Sequence, residues 1–293
     1  MEVRTLVHFF TACLTGFFLV FSCGAIELSE AEQQALYDSM EPVYGPNAVD
    51  IVGKATVRMD SSLYYLNLDD TKKYLRLTDN LVYEEHKEVL IGGRESQWVA
   101  YFDFLDTGYV EDSEPPESDA TLEEAKKNNK AGNVERQEQG LPLLHVDRWA
   151  IEPRYDRTEN LLEWAMVVQS DTGEEINYHT RILGRKGTMR VVLVCSPDVL
   201  QSSIAELKKA LRAYSFNAGE RYADFKDGDK VAQYGLAALI TGGAAALATK
   251  KGFWAAIGAF LIAAKKFIFV ILIVALAKIG TIIRWIKSLF TSR

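Results

Sequence analysis

Cys195 and His179 are the first residues to weigh as reagents, because a thiol becomes a nucleophile near neutral pH only when a base such as imidazole stands beside it. The competing reading of Cys195 is a small buried hydrophobe that closes an apolar run. His145 and Asp147 fall two apart on a strand-like stretch and so share a face, but spacing supplies no third group to complete a catalytic set. The other histidines, His8 and His86, form no pair at the helical spacing that zinc sites use. Neither a metal nor a cofactor is expected, and an enzyme is the second reading of this chain rather than the first.

Another group of residues suits recognition better than catalysis. Gly184-Arg185-Lys186-Gly187 could cradle an anion between turn amides and two cations. The alternative is a hairpin turn whose glycines supply positive φ. Glu163, Asn177, Arg181, Arg185 and Arg190 make up the candidate polar or anion-binding surface. Two arginines beside Asn177 suit a carboxylate or phosphate, whereas a cross-strand salt bridge beneath another layer explains the same residues without a ligand. Asp224, Asp227 and Asp229 read as a solvated linker, since a calcium loop needs further ligands.

Strands must position these side chains. Residues 161–170, 174–183 and 188–195 alternate with turn signals and predict an antiparallel meander. With 170 opposite 174 and 183 opposite 188, one buried face takes Trp164, Met166, Val168, Ile176, Tyr178, Ile182, Met189, Val191, Leu193 and Cys195. The other face takes Glu163, Asn177, His179, Arg181 and Arg190, with Glu163 and Arg190 flanking Arg181. A slip of one residue at either turn would exchange a strand's faces. Ser196 as cap, Pro197 at the first position and Leu200, Ile204, Leu207 and Leu211 at helical spacing predict a helix next.

Upstream, Ser29 and Glu32 give a capping box for a short helix. Residues 54–59, 63–68 and 97–105 read as strands, with Asp69-Asp70 as a turn, while 71–88 leaves helix and strand both open. An acidic loop leads to a polar helix over about 120–139, and a strand from 143 ends at Pro153, before a turn over 155–160. The fold class is α+β, an antiparallel sheet with packed helices, joined to C-terminal transmembrane helices.

Charge separates the chain into parts. Of 33 Lys plus Arg and 40 Asp plus Glu, residues 231–293 take eight basic residues and no acid, which leaves residues 26–230 strongly acidic. Such a domain repels nucleic acid, and the basic tail suits a membrane surface. Residues 231–249 run for 19 positions without a charge, close to the roughly 20 that span a bilayer. A hairpin completed by 267–283 is preferred, with one or three spans left open, because Lys265-Lys266 at mid-membrane would cost about 2.5–3.5 kcal/mol. Gly235, Gly242 and Gly243 permit close helix packing. The expected partners are therefore the bilayer and either an envelope protein or a second copy of the chain.

Residues 1–25 read as a signal peptide, from Arg4, the apolar run over 6–21 and the small residues Ser22 to Ala25; an uncleaved anchor and lipidation at Cys23 stay open. After cleavage only Cys195 remains, so an exported domain has no internal disulfide.

Several motifs carry a family likeness. They are Gly108-Tyr109-Val110 with Asp112, Trp149 and Pro153 through Tyr155-Asp156, Leu162-Glu163-Trp164-Ala165, and Ile176-Asn177-Tyr178 with Arg181. Leu183-Gly184-Arg185-Lys186-Gly187, Gly219 with Tyr222 to Phe225, Asp229-Lys230-Val231-Ala232 and Tyr234-Gly235 continue the set. Over about residues 98–251 the chain resembles an uncharacterised bacterial envelope group, the membrane-anchored domain-of-unknown-function family 2167, with His179 standing where a second Asn is expected. The resemblance implies an exported domain held in the inner membrane of Gram-negative bacteria, its soluble part in the periplasm, and implies no reaction. The strand and helix order also looks like small α+β sandwiches of the PsbP kind. Together these readings lead to an interaction or sensing module, with an envelope hydrolase or a subunit of a membrane complex as alternatives.

Overall fold

The computed structural model describes residues 28–85, 87–112, 118–232 and 234–241. Helix α1 (Glu30–Asp38) starts at the capping box, in which the Glu32 amide donates to Ser29 Oγ (3.3 Å) and the Ser29 amide to Glu32 Oε2 (2.8 Å). Next come β1 (Val43–Tyr44), β2 (Asn47–Ile51), β3 (Ala55–Met59) and β4 (Leu63–Leu66). Helix α2 (Leu68–Leu77) follows directly. Asp69 and Asp70, expected to turn the chain, lie in its first turn, where Asn67 Oδ1 accepts from both of their amides. An Asn cap with two carboxylates at the positive end is a helix start, and that outweighs the turn reading.

Strands β5 (Glu88–Gly93) and β6 (Trp98–Leu105) precede the polar helix α3 (Ser118–Glu138). Strand β7 (His145–Asp156) runs through Pro153 rather than stopping there. It is an edge strand with pairing irregularities up to Arg154, where the missing proline N–H costs no ladder bond. Then come β8 (Leu161–Ser170), β9 (Gly173–Leu183), β10 (Thr188–Cys195), helix α4 (Leu200–Leu211) after one 3-10 turn, β11 (Tyr214–Phe216) and α5 (Leu236–Thr241). Ser196 makes no side-chain cap; its hydroxyl bonds Asp198 instead (2.5 Å).

Eight antiparallel strands form one sheet in the order β1-β4-β5-β6-β10-β9-β8-β7, and β11-β3-β2 form a second. Between one face of the large sheet, the small sheet and α4 lies the main core, built on Ile51, Val57, Phe102, Tyr178, Val191, Leu193 and Leu207. The opposite face carries two apolar clusters. Leu66, Leu75, Leu90 and Tyr101 join α2 to the sheet, while Leu162, Trp164, Met166 and Leu183 meet α3 and α5 through Ala125, Leu236, Leu239 and Ile240. The architecture is α+β, with the sheet covered on both faces.

The β9–β10 pairing is as expected, with Leu183 opposite Thr188 and Arg190 opposite Arg181. The β8–β9 pairing is shifted by one. Ser170 lies opposite Gly173, so Glu163 faces Thr180 and Leu162 faces Arg181. Only Asp171-Thr172 forms the turn, and Gly173 (φ 137°) opens the strand. Glu163 therefore shares the main-core face with Tyr178, and Trp164 and Met166 move to the face of Arg181. Residues 162–168 are all buried, so no polar alternation marked which face of β8 was which.

Among the described residues no helix is long and apolar enough to cross a membrane. The signal over 1–25 and the tail beyond Thr241 lie outside the described residues. The ordered fold itself continues past Lys230, because Leu236, Leu239 and Ile240 are 1–4% exposed.

Candidate functional site

Between the two apolar clusters a charged row crosses four adjacent strands. Glu88 on β5 is opposite Asp103 on β6, Asp103 opposite Arg190 on β10, and Arg190 opposite Arg181 on β9. Arg190 takes both acids, with its Nε donating to Asp103 Oδ1 at 2.5 Å and its Nη2 lying 3.8 Å from Glu88 Oε1. Burial pushes the Glu88 carboxyl up to about 7, drawn back by Arg190 and raised again by Asp103. Among the described residues Arg181 has no ion pair, and burial followed by the charge of Arg190 brings its guanidinium down to about 9, with Asp103 opposing.

The next row is aromatic. Trp164 faces His179 across β8 and β9, their rings stacked at 4.9 Å and 6°, and the Arg181 guanidinium lies 4.7 Å from the same indole. Burial, then Arg181 and Arg190, hold the imidazole well below its usual pKa, so His179 is neutral. Among the described residues, both its nitrogens, Trp164 Nε1, Arg181 Nε and Thr188 Oγ1 are buried without a hydrogen-bond partner. Native interiors leave few such atoms, and here they gather on three neighbouring strands. Asn177 shares this face at its half-buried end.

Glu163 belongs to a different site. It is 3% exposed on the main-core side, where Arg154, the Tyr178 hydroxyl and Lys208 (2.9 Å) converge on it. Burial raises its pKa, but bonds from Tyr178, Lys208 and Arg154 outweigh that and keep it below the usual range. This carboxylate is fully paired and fixes α4 to the sheet.

The Gly184–Gly187 turn is committed to the chain as well. Gly184 N–H donates to Gly187 O (2.8 Å) and Arg185 N–H to Glu220 O (2.9 Å). Arg185 makes a bidentate pair with Asp229, from Nε to Oδ2 (2.7 Å) and Nη2 to Oδ1 (2.8 Å). Neither glycine has positive φ. A Cβ at Gly187 would stand 2.0 Å from Leu105 O, and one at Gly184 3.0 Å from Glu220 O, so close backbone approach is what requires them.

Asp229 thus fastens a strap rather than leading a free linker. Tyr109 donates its amide to Lys230 O (2.8 Å) and accepts at its carbonyl from Ala232 N–H (2.7 Å). Its ring meets Tyr222 at 4.4 Å and Phe225 at 4.2 Å. Asp224 accepts from the Gly219 and Arg221 amides, both at 3.1 Å. No group of three or more His, Cys, Asp or Glu among the described residues could hold a metal.

Of the remaining family-motif positions, Trp149 and Tyr155 pack against the second cluster, and Asp156 accepts from the Thr158 amide (2.8 Å). Cys195 lies in the main core, across the sheet from His179, and burial raises its thiol to about 11, which separates the nucleophile from its base. His145 is exposed on the edge strand. A polar groove of about 520 Å³ lies away from the charged row, lined by Asp60, Arg94, Ser96, Glu206 and Lys209. Lys209 pairs with Asp60 (2.8 Å), Glu206 accepts from Ser96 (2.5 Å) and Trp98 (2.9 Å), and Arg94 donates to Ser61 O (3.1 Å). Sequence reasoning missed Asp103, Glu88 and Thr188. The usable signal was Asp103, a lone charge inside an otherwise apolar strand.

The fold and site define an α+β domain on a broad antiparallel sheet, with a charged row enclosed on one face and a strapped C-terminal extension. The chain belongs to the family described as protein of unknown function (DUF2167), whose profile matches residues 43–277. Among solved structures, it is similar to the solution structure of cyanobacterial PsbP from Synechocystis sp. PCC 6803, with 9% identity over 67% of this chain and 98% of that one and a TM-score of 0.35. A comparison with curated proteins finds no match.

Proposed function

We propose that this protein is a membrane-tethered domain of the bacterial envelope, its soluble part in the periplasm, that binds a ligand or partner rather than transforming a substrate. The observation that carries the reading is the strap. Residues 219–232 and 234–241 are locked onto the domain by Arg185–Asp229, the Tyr109 backbone pair and the burial of Leu236, Leu239 and Ile240, and in sequence they lead into the long apolar tail. The family match runs on through residue 277, so domain and tail belong to one family unit. A short, fastened junction holds one face of the domain at a set distance from whatever the tail enters, which suits a sensor or docking module.

Protease access in spheroplasts, with a tag at the C-terminus, tests the placement. Digestion of the domain with the tag protected supports a periplasmic domain and an odd number of spans. Digestion of both supports the hairpin. A domain protected until the cells are lysed would overturn export.

A further inference from the structure

Arg181 is the unmatched cation of the row. It is 5% exposed, and among the described residues its guanidinium makes one hydrogen bond, from Nη1 to the Thr180 carbonyl at 3.2 Å. A buried guanidinium with no ion pair of its own carries a desolvation cost, and a second arginine directly opposite adds to it, offset only in part by Asp103 beyond. The surroundings nevertheless hold this side chain in place, with the Trp164 ring beneath it and His179 stacked on the same ring.

The bond through Nη1 leaves the Nε–Nη2 edge uncommitted, and Nε is buried without a partner. That edge presents two parallel N–H groups, the geometry that pairs with a carboxylate. The neutral His179, two residues along β9, adds one donor and one acceptor without adding charge. On the other side of Arg181 the row opens, since the Arg190 side chain is 33% exposed.

We propose that Arg181 and His179, over the Trp164 indole, form a binding site for a small carboxylate anion, entered past Arg190. The fork pairs with carboxylate and phosphate alike, but enclosure between apolar clusters favours a singly charged carboxylate, because a doubly charged phosphate or sulfate costs more to take out of water. The apolar clusters on either side restrict the anion's size. The site stands independently of where the tail is anchored.

The test uses the full chain in detergent, followed by thermal unfolding and titration calorimetry with acetate, succinate and citrate. Inorganic phosphate and sulfate at matched ionic strength serve as comparisons. At least one carboxylate should bind saturably at a single site and raise Tm, with phosphate and sulfate giving neither effect. Arg181→Lys keeps the charge but loses the fork, and should weaken binding about tenfold or more. Arg181→Met should abolish the response and, without anion, be at least as stable as the parent, because it removes an unpaired buried charge. If that variant does not fold, His179→Phe, which keeps a ring against Trp164 and removes both nitrogens, carries the test with a loss of about tenfold in affinity. The proposal is overturned by the absence of saturable carboxylate binding, by an equal response to phosphate and sulfate, or by variants that bind as the parent does.

Discussion

Glu88 shows how one side chain at the end of the charged row couples the domain to pH. Its carboxyl is raised from 4.5 to about 7, so between those values the folded chain holds a proton that the unfolded chain has released. Stability from this group is fully present below 4.5 and is lost as the pH climbs through 7. The side chain is 20% exposed, and a shift of this size corresponds to a loss on the order of 3 kcal/mol across the window. Glu88→Gln should flatten the decline of Tm between pH 4.5 and 7 and leave Arg190 paired to Asp103. A variant with the parent's slope would assign the titration to another group. Of the site itself, the Arg181–Arg190 juxtaposition was legible in the sequence, because a single turn between β9 and β10 fixes it. Their acidic partners were not, since β5 and β6 reach this row from across the chain and no local signal orders them beside β10.

At the scale of elements, the meander β8–β9–β10 and the helix after it were readable from turn residues and periodicity, and the exception is instructive. Strand β8 is buried on both faces from Leu162 to Val168, so its polar pattern does not choose a register, and the turn alone decides. A two-residue turn in place of three moved Glu163 from the Arg181 face into a buried cage with Tyr178 and Lys208. The short stretch read as a linker met a similar fate. Its acids look solvated in sequence, but Asp229 finds Arg185 across 44 residues, which holds its carboxyl down to about 2. Replacing either partner, by Arg185→Gln or Asp229→Asn, should release the strap without unfolding the sheet. Amide exchange at Tyr109 and Ala232, whose bonds tie the two segments, should then accelerate about tenfold or more while β9 and β10 stay protected. Uniform acceleration across the domain would mean the pair supports the whole fold instead.

For the whole molecule, the question is where the domain ends and the tail begins. Hydropathy alone places the boundary at residue 231, because charge disappears there. Packing carries the domain further, since Val231 bridges to Tyr109 and Leu236, Leu239 and Ile240 fill the cluster shared by α3 and β8. An apolar run can be membrane or core, and composition does not distinguish them until a partner surface is known. A chain ending after Thr241 should therefore unfold at a higher temperature than one ending after Lys230. Three buried aliphatic side chains at roughly 1.5–3 kcal/mol each set an upper bound for the difference of about 9 kcal/mol. The shorter chain also loses the cover over Trp164, so near-ultraviolet dichroism should report a loosened aromatic cluster. Equal melting temperatures would return residues 231–241 to the tail and weaken the argument that the domain is held in a fixed orientation. A clear difference would make residues 236–241 the last turn of the domain and, on the proposed tethering, would link the packing of the sheet to the start of the tail.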